Sequence, residues 1–426
     1  MNRFVLLSGL LLFVYSVSHS QTNREDLYSE MVLFQNRASM EKDLRERVIQ
    51  KAFSGPLDSN TEYRYANACD AVTQFLISGP FVQEGFARLF PYYDSLEYQT
   101  KLSFLQALNG AYPALYGKEI GEILNKESDP ILFSICCSYL FNIDSSINNG
   151  NNLKIRMVEK FPGYDTIPVL QALQEFLSKD TAAINEVPPD LVSLFNFQKN
   201  KGFRNIYSFQ RHNRDYPGLA IIQKEDGSFV RNADGTLAVY EQLARSGSNL
   251  PYFIKDGNTP QGIYSIQEVS VSHNRFIGPT PNLHLILPFE KTWEKFFHMP
   301  HPTDSLNLYF AILPESWCDY RAILEAWNAG KSGRTAIIVH GTTLDPQYYR
   351  NKSFYPLVPS EGCLTTKEIW NNTTGRLLVS EELNLVNAFV TTPGQNGFLF
   401  VIDLGNQQKP VGKTEIESLV SRSEKQ

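Results

Sequence analysis

The 426-residue chain lacks several features that define common classes of protein. Basic residues are not in excess, because 39 Lys and Arg stand against 45 Asp and Glu and leave a formal net charge of −6. A nucleic-acid partner requires a basic surface that replaces counterions, so the composition argues against one. A Walker-type loop and a dinucleotide glycine fingerprint are also absent from the sequence. Nothing therefore predicts a nucleotide cofactor.

Histidine is scarce, with seven in the chain, and one group of residues has the chemistry of a metal site. His298 and His301 lie close to Asp304 in the sequence. Pro300, however, breaks the helix that would bring both imidazoles to one face. We therefore expect no metal site and no cofactor.

Cysteine is scarce too, and the five residues show no paired disulfide framework. The odd number leaves at least one free thiol. Cys136 and Cys137 lie in the apolar run from Ile131 to Phe141 and are predicted to be small core residues. The sequence leaves open whether Cys69 and Cys318 are paired.

Long apolar runs are absent after the first twenty residues, so no later segment is predicted to span a membrane. Residues 1–20 have the pattern of a secretory signal peptide: a basic residue, an apolar stretch from Phe4 to Val17, and small residues before Gln21. No cysteine follows the predicted cleavage point, so a lipid anchor is not expected. The sequence predicts an exported protein that is not membrane-spanning.

The length predicts two domains, because one hydrophobic core seldom serves so long a chain. Residues 22–200 have helical spacing with short breaks and predict an all-α domain, with a HEAT-like repeat as one candidate arrangement. Asp129-Pro130 is a typical helix start, and the helix that follows is apolar on all sides and predicted to be buried. This domain either docks a partner or guides a substrate, or it only packs against the second domain.

Strands dominate beyond a boundary predicted between Pro188 and Tyr216. Residues 216–404 predict a β-rich sandwich or barrel, and residues 406–426, which are polar and charged, predict a flexible tail. A turn is expected at Asn232–Gly235. Strands are predicted at Leu219–Gln223, Gly262–Val271, Leu283–Leu287, Leu306–Leu313, Thr335–His340 and Phe398–Asp403, and helices at Glu315–Asn328, Thr366–Asn372 and Glu381–Phe389.

One stretch, from Thr335 to Trp370, carries residues whose side chains could take part in catalysis. A β-branched apolar run ends at His340, where Gly341 permits a sharp turn. After a loop comes Cys363, so one imidazole and one thiol flank a single loop. An imidazole within hydrogen-bond reach turns a thiol into a nucleophile. We therefore predict that the two side chains lie close together, partly as a thiolate and imidazolium pair at neutral pH.

These residues resemble the signature of the L,D-transpeptidase family (YkuD type), a strand-end His-Gly followed by Ser-His-Gly-Cys, an apolar residue and Asn or Arg. The similarity covers roughly residues 216–404. It includes an upstream block, Gly257 to Ile266, that is similar to the family's Thr-Pro-x-Gly-x-Phe-x-Ile segment. Glu361 replaces the second His and Thr365 replaces the Asn or Arg. The matching residues are His340, Gly341, Ser360, Gly362, Cys363 and Leu364.

The resemblance implies acyl transfer on peptidoglycan stem peptides. The family's cysteine attacks the carbonyl after the third residue, usually a diamino acid, expels the terminal D-amino acid, and passes the acyl group to an amine. The resemblance makes Cys363 the nucleophile and His340 the base. The carbonyl of Gly341 would hold the imidazole, and the N–H groups of Gly362 and Cys363 would form the oxyanion hole. It further implies no cofactor, a periplasmic or cell-envelope location, and acylation by carbapenems.

Contacts with the substrate are expected from three residues near the thiol. Ser360 precedes Cys363 by three positions, and Tyr349 and Arg350 lie in the loop 344–358, which is predicted to be a lid over the peptide. The alternative is an ordered surface loop without function.

Three functions are compatible with these residues. The first is a transpeptidase that cross-links stems or attaches a protein to the wall, and the second is an L,D-carboxypeptidase-type hydrolase on the same site, with water as acceptor. The third is a non-catalytic wall-binding protein whose helical half does the binding. A wall-attached protein or another envelope partner is a candidate to bind this helical half. A carboxylate aimed at the thiol would raise its pKa, so Glu361 is expected to point elsewhere or to engage His340 or a substrate amine.

Overall fold

The computed structural model describes residues 21–178 and 187–425, so the predicted signal peptide lies outside the described residues. Helices form the first half of this structure. Helix α1 continues through a π-helical segment, Asp43–Gln50, into α2. The helices are α1 Phe34–Lys42, α2 Lys51–Ser54, α3 Glu62–Phe75, α4 Pro80–Leu89, α5 Tyr98–Ala111, α6 Gly117–Lys126, α7 Pro130–Ile143, α8 Ile147–Lys160, α9 Pro168–Leu177 and α10 Leu191–Lys199.

Helix α7 forms as the sequence predicts. The Asp129 side chain accepts hydrogen bonds from the N–H groups of Ile131 and Leu132, and Pro130 occupies the first turn, where its missing N–H costs nothing. Cys136 and Cys137 are fully buried and unbonded. The predicted helix start and the predicted core cysteines are confirmed, whereas the HEAT-like repeat stays a prediction.

Strands of the second half close into an eight-stranded barrel in the order β1-β10-β4-β5-β6-β7-β3-β2. Neighbours are antiparallel except the pairs β1–β10 and β6–β7, which are parallel. Of the two predicted architectures, sandwich and barrel, the barrel is the one observed. The strands are β1 Phe203–Gln210, β2 Gly218–Gln223, β3 Tyr240–Leu243, β4 Gly262–Ser270, β5 Asn282–Ile286, β6 Ile338–His340, β7 Leu364–Thr366 and β10 Gln395–Asp403, with β8 Glu368–Trp370 and β9 Leu377–Ser380 in a separate two-stranded sheet.

Side chains alternate along the barrel strands between two cores. In β1, Ile206 belongs to a core that continues into the helical half, while Tyr207 belongs to a second core on the opposite face. Short helices lie between and after the strands. They are α11 Trp293–Phe297, α12 Ser305–Phe310, α13 Glu325–Lys331, α14 Glu381–Thr391 and α15 Lys413–Ser423. Helices α11, α12 and α15 contribute to the second core, whereas α14 contributes Leu385, Val386 and Phe389 to the first.

Three predicted elements are wrong. Leu306–Leu313 was predicted as a strand, but α12 forms because the Asp304 side chain caps it. The predicted helix Glu315–Asn328 is two 3-10 turns followed by α13. Thr366–Asn372 was predicted as a helix, yet β7 and β8 form there because tertiary strand pairing overrides local propensity.

The predicted flexible tail is also wrong, because α15 is docked. Ile416 and Val420, one helical turn apart, are buried in the same core as Leu191 and Leu194 of α10. Burial of these apolar side chains holds the polar segment on the barrel.

The boundary between the helical half and the barrel differs from the predicted one. Strand β1 precedes residue 216, the predicted domain start, and is part of the barrel. At the other end of the helical half, Leu27 and Val32 pack with Trp370, next to β8 and β9. The residues predicted as one helical domain therefore begin and end on the β domain.

Close backbone contacts join the helices to the barrel. A Cβ added to Gly110 of α5 would lie 2.5 Å from the carbonyl oxygen of Gly247. Nearby, the Gln106 side chain donates to the Lys255 carbonyl at 3.1 Å. The loop around Gly247 leads into the candidate site, so this junction positions the helices against it.

Substituting Gly110 by Ala tests this junction. The added methyl group would overlap a backbone atom that cannot move freely, so we expect G110A to lower the free energy of unfolding by about 1–3 kcal/mol in urea titrations. Gly121 of α6 is the matched control, because a Cβ there meets nothing within 4 Å. G121A should stabilise by about 0.5–1 kcal/mol. Equal effects of the two substitutions would contradict the described junction.

Candidate active site

His340 ends β6 and faces one end of the barrel. Its Nδ1 lies 2.6 Å from the carbonyl oxygen of Gly341. A carbonyl only accepts, so Nδ1 carries the proton, and in a neutral imidazole Nε2 is then the basic nitrogen. The contact implied by the resemblance, a Gly341 carbonyl holding the imidazole, is therefore present.

Gly341 is constrained by a buried side chain behind it. A Cβ at this position would lie 2.2 Å from Cδ of Glu368. Any larger residue would displace either the carboxylate or the strand end that carries His340. The sequence pattern indicated a turn here, and the structure adds the close approach that requires glycine.

The turn Ser360–Cys363 is held by its own side chain. The Ser360 hydroxyl accepts the Gly362 N–H at 3.0 Å and donates to the Cys363 carbonyl at 2.9 Å. The hydroxyl therefore shapes the turn; Ser360 also lines the pocket, and its contact with substrate stays a prediction. The Gly362 N–H is also occupied, which leaves the Cys363 N–H as the remaining member of the predicted oxyanion pair.

Arg334 supports this turn from behind. Gly362 has a φ of +106°, and a Cβ there would lie 2.2 Å from Nη2 of Arg334. The guanidinium is buried and donates to the carbonyls of Asn258 at 2.7 Å and Gly257 at 3.0 Å. Arg334 therefore lies beneath the turn that carries Cys363 and holds the upstream block in place.

The parallel pairing of β6 and β7 brings the thiol to the imidazole's side. His340 pairs with Thr365, and Cys363 lies two positions before that partner. Side chains two apart on a strand point the same way, so both groups line one pocket. Within the part of the chain that the structure describes, the Cys363 Sγ bonds to the Ala336 carbonyl at 3.6 Å and makes no hydrogen bond to His340. Both side chains therefore line the same pocket, whereas the predicted hydrogen bond between them is not formed.

Burial keeps both groups neutral. It raises the pKa of the Cys363 thiol to about 11, although the Ile338 backbone and the Arg334 charge act in the opposite direction. Burial lowers the pKa of His340 to about 4, although the hydrogen bond to the Gly341 carbonyl acts to raise it. Both shifts favour the neutral thiol and the neutral imidazole over the predicted thiolate and imidazolium pair. A neutral imidazole remains able to take the thiol proton when the thiol attacks.

The pocket around the thiol encloses about 350 Å³ and takes one wall from the helical half. Helix α3 contributes Asp70, Thr73 and Gln74, and α5 contributes Gln106. On the barrel side, Asp256 and Glu361 face the same space. Sequence reasoning missed the acidic Asp70 and Asp256. Asp256 stands directly before the family-like block, which was a usable signal, whereas nothing near Asp70 pointed to the site.

The two substrate contacts predicted in the loop 344–358 are wrong. Tyr349 is fully buried and its hydroxyl donates to the Gln74 carbonyl at 2.6 Å. Arg350 is exposed and is not among the pocket residues. Aromatic packing also fixes the loop, since the rings of Tyr348 and Phe75 lie 4.8 Å apart. The loop is anchored to α3, which argues against a mobile lid, although its ends Leu344 and Val358 do line the pocket.

His298, one of the two histidines considered for a metal, has other partners. Its Nε2 lies 2.7 Å from the Ser265 hydroxyl. Residues 21–178 and 187–425 contain no group of three or more metal-ligating side chains. Over the same ranges, none of the helices combines the length and the apolar character needed to cross a bilayer.

No family model, curated protein or solved structure matches this chain. The function therefore has to be argued from the site.

The neutral state of Cys363 predicts a specific pH profile for alkylation. Because only the thiolate reacts, the rate with iodoacetamide should rise about tenfold per pH unit between pH 6 and pH 10. Peptide mapping by mass would follow Cys363, with the partly exposed Cys318 as internal control. A rate that is already level between pH 5 and pH 8 would mean that an ion pair exists after all.

Replacing Glu361 by Gln tests the charge beside the thiol. The Glu361 carboxylate raises the pKa of Cys363, so E361Q should speed alkylation at neutral pH by about threefold. Burial, Asp256 and Asp70 raise the pKa of Glu361 itself, so the gain should fade at low pH, where Glu361 is already protonated. Exposed Glu159 supplies the control variant E159Q. Slower alkylation of E361Q would instead mean that the carboxylate supports a protonated His340.

Proposed function

We propose that this protein is a cysteine-dependent L,D-transpeptidase that acts on peptidoglycan stem peptides. The observation that carries the proposal is the convergence of Cys363 and His340 in one pocket, with the His340 Nδ1 held by the Gly341 carbonyl. This arrangement contains a nucleophile, a base and a group that orients the base. The family resemblance of the two motifs adds the class of substrate.

The reaction starts from the neutral pair. As Sγ attacks the carbonyl carbon of the stem peptide, the thiol proton passes to Nε2 of His340. The amide C–N bond then breaks, and the departing D-amino acid takes this proton on its amine nitrogen. An acceptor amine attacks the resulting thioester and loses a proton to Nε2. The C–S bond then breaks, and the thiolate takes that proton from Nε2, which restores the neutral pair. The Cys363 N–H is the donor that we assign to the developing oxyanion.

Acidic residues in the pocket favour a cationic peptide. Glu361 has a raised pKa because of burial and because of the neighbouring charges of Asp256 and Asp70. A substrate ammonium group bound among these carboxylates would relieve their repulsion. Stem peptides with a diamino acid carry such a group, and so do amine acceptors.

The wall contributed by α3 and α5 favours a substrate-guiding role for the helical half over simple packing. An acceptor on a wall-attached protein, or another envelope partner, would approach the thioester along this wall. The location that we propose, the periplasm or the cell envelope, follows from the signal-peptide pattern together with the substrate.

Incubation with defined tetrapeptide-stem fragments tests the proposal. We expect a cross-linked dimer by mass, complete loss of product in C363A, and a loss of at least about a hundredfold in H340A because the base is gone. The control is C318A, which removes a free thiol outside the pocket and should keep full turnover.

The other functions appear as other outcomes of the same experiment. A tripeptide product without dimer would identify the hydrolase that shares this mechanism up to the thioester. Binding without any change in mass would contradict catalysis and favour the wall-binding protein.

A further inference from the structure

The peptide group between Gly341 and Thr342 has contacts at both ends. Its carbonyl oxygen accepts from the His340 Nδ1, as described above. Its N–H donates to Oε2 of Glu368 at 2.9 Å. A single rigid amide therefore links the imidazole to a carboxylate.

Glu368 is built into this position. Its side chain is 5% exposed, and its other oxygen, Oε1, accepts from the Ser380 hydroxyl at 2.7 Å. Two residues further along β8, Trp370 donates from Nε1 to the Thr342 carbonyl at 2.9 Å. Strand β8 is thus hydrogen-bonded to both the N–H and the carbonyl of Thr342, and these bonds set the plane of the preceding amide.

We propose that Glu368 is a positioning residue for His340, acting through the Gly341–Thr342 peptide group. This inference rests on the proposed function, because it assigns Glu368 a part in orienting the base. A carboxylate that accepts the amide N–H polarises the amide, so the carbonyl becomes a stronger acceptor for Nδ1–H. The imidazole is then held in the tautomer that directs the basic Nε2 away from the backbone. The Glu, the amide and the His together replace a direct carboxylate–imidazole contact.

Glycine at position 341 supports the same interpretation. The carboxylate occupies the space that a side chain would need there, since a Cβ would lie 2.2 Å from Cδ. The close approach therefore allows the carboxylate to reach the next N–H along the chain.

Neighbouring titratable groups bear on the pH at which Glu368 ionises. Burial raises the pKa of Glu368 to about 7, although its hydrogen bonds act in the opposite direction. Glu382 of α14 is fully buried, and burial and the Glu368 charge raise its pKa. On β6, His340 is linked to Glu368 through the Gly341–Thr342 amide. Ionisation of Glu368 as the pH rises through about 7 should strengthen the relay, and protonation below that pH should weaken it.

The experiment reads the His340 tautomer by ¹⁵N NMR of the imidazole and, in parallel, turnover of stem fragments. The wild type should show a protonated Nδ1 whose shift moves near pH 7. Glu368→Gln keeps an acceptor without the charge, so Nδ1 should stay protonated, the movement near pH 7 should vanish, and kcat should fall by less than about threefold. Glu382→Gln should keep the movement near pH 7, because Glu368 still titrates.

Removing the acceptor altogether is the stronger change. Glu368→Ala should mix the tautomers and lower kcat by at least about tenfold at unchanged KM. Ser380→Ala is the matched control, because it removes the bond to the other carboxylate oxygen and the cap of α14 and does not touch the amide. It should lose stability but keep both the tautomer and kcat.

Two results would overturn the inference. One is an unchanged tautomer in Glu368→Ala with kcat no lower than in Ser380→Ala. The other result applies even if Glu368→Ala does not fold. It is a ¹⁵N shift of the His340 Nδ1 in Glu368→Gln that still moves near pH 7, as in the wild type. Absence of turnover in the wild type would count against the proposed function alone, since the tautomer readout requires no substrate.

Discussion

The parallel pairing of β6 with β7 is the constraint on which the candidate site depends. It joins two three-residue strands that enclose a long loop, and it fixes His340 opposite Thr365. With that register the thiol two positions earlier faces the same pocket. A shift of one residue would send Cys363 to the other side of the sheet. The surrounding contacts, from Arg334 under the turn to Glu368 behind Gly341, hold the two strand ends in this register.

Burial favours the neutral forms of Cys363 and His340. The same protein atoms that orient the thiol and the imidazole remove the water that would stabilise their charged forms. An exposed thiolate would react with any electrophile or oxidant. Under the proposed mechanism, a neutral pair that transfers its proton only as the carbonyl arrives would restrict the chemistry to a bound peptide.

Much of the site was predictable from the sequence, because the chemistry lies in short local motifs. The strand-end His340 and the turn at Cys363 carried their own signals, and the density of strands predicted a sandwich or a barrel without deciding between them. The tertiary partners were not predictable. Glu368 lies in a segment that was predicted to be a helix, so its place behind Gly341 was not foreseen. Tyr349 was predicted to contact substrate because it is near the thiol in sequence, whereas it packs on α3.

Other errors have the same physical origin. The residues of α15 look like a polar tail, and only the spacing of Ile416 and Val420 indicated a face that needs cover. Leu306–Leu313 has strand-like composition, but a single cap at Asp304 stabilises a helix. Local patterns identify which residues are apolar or reactive, and the contacts between distant segments decide what those residues do.

Trapping of the acyl-enzyme tests the central claim most directly, since the claim is that Cys363 attacks a carbonyl with His340 as its base. Intact-mass analysis after mixing with a carbapenem should show one adduct on the wild type, mapped to Cys363, with much slower formation in H340A and none in C363S. No adduct on the wild type, or one that maps to another cysteine, would contradict the account.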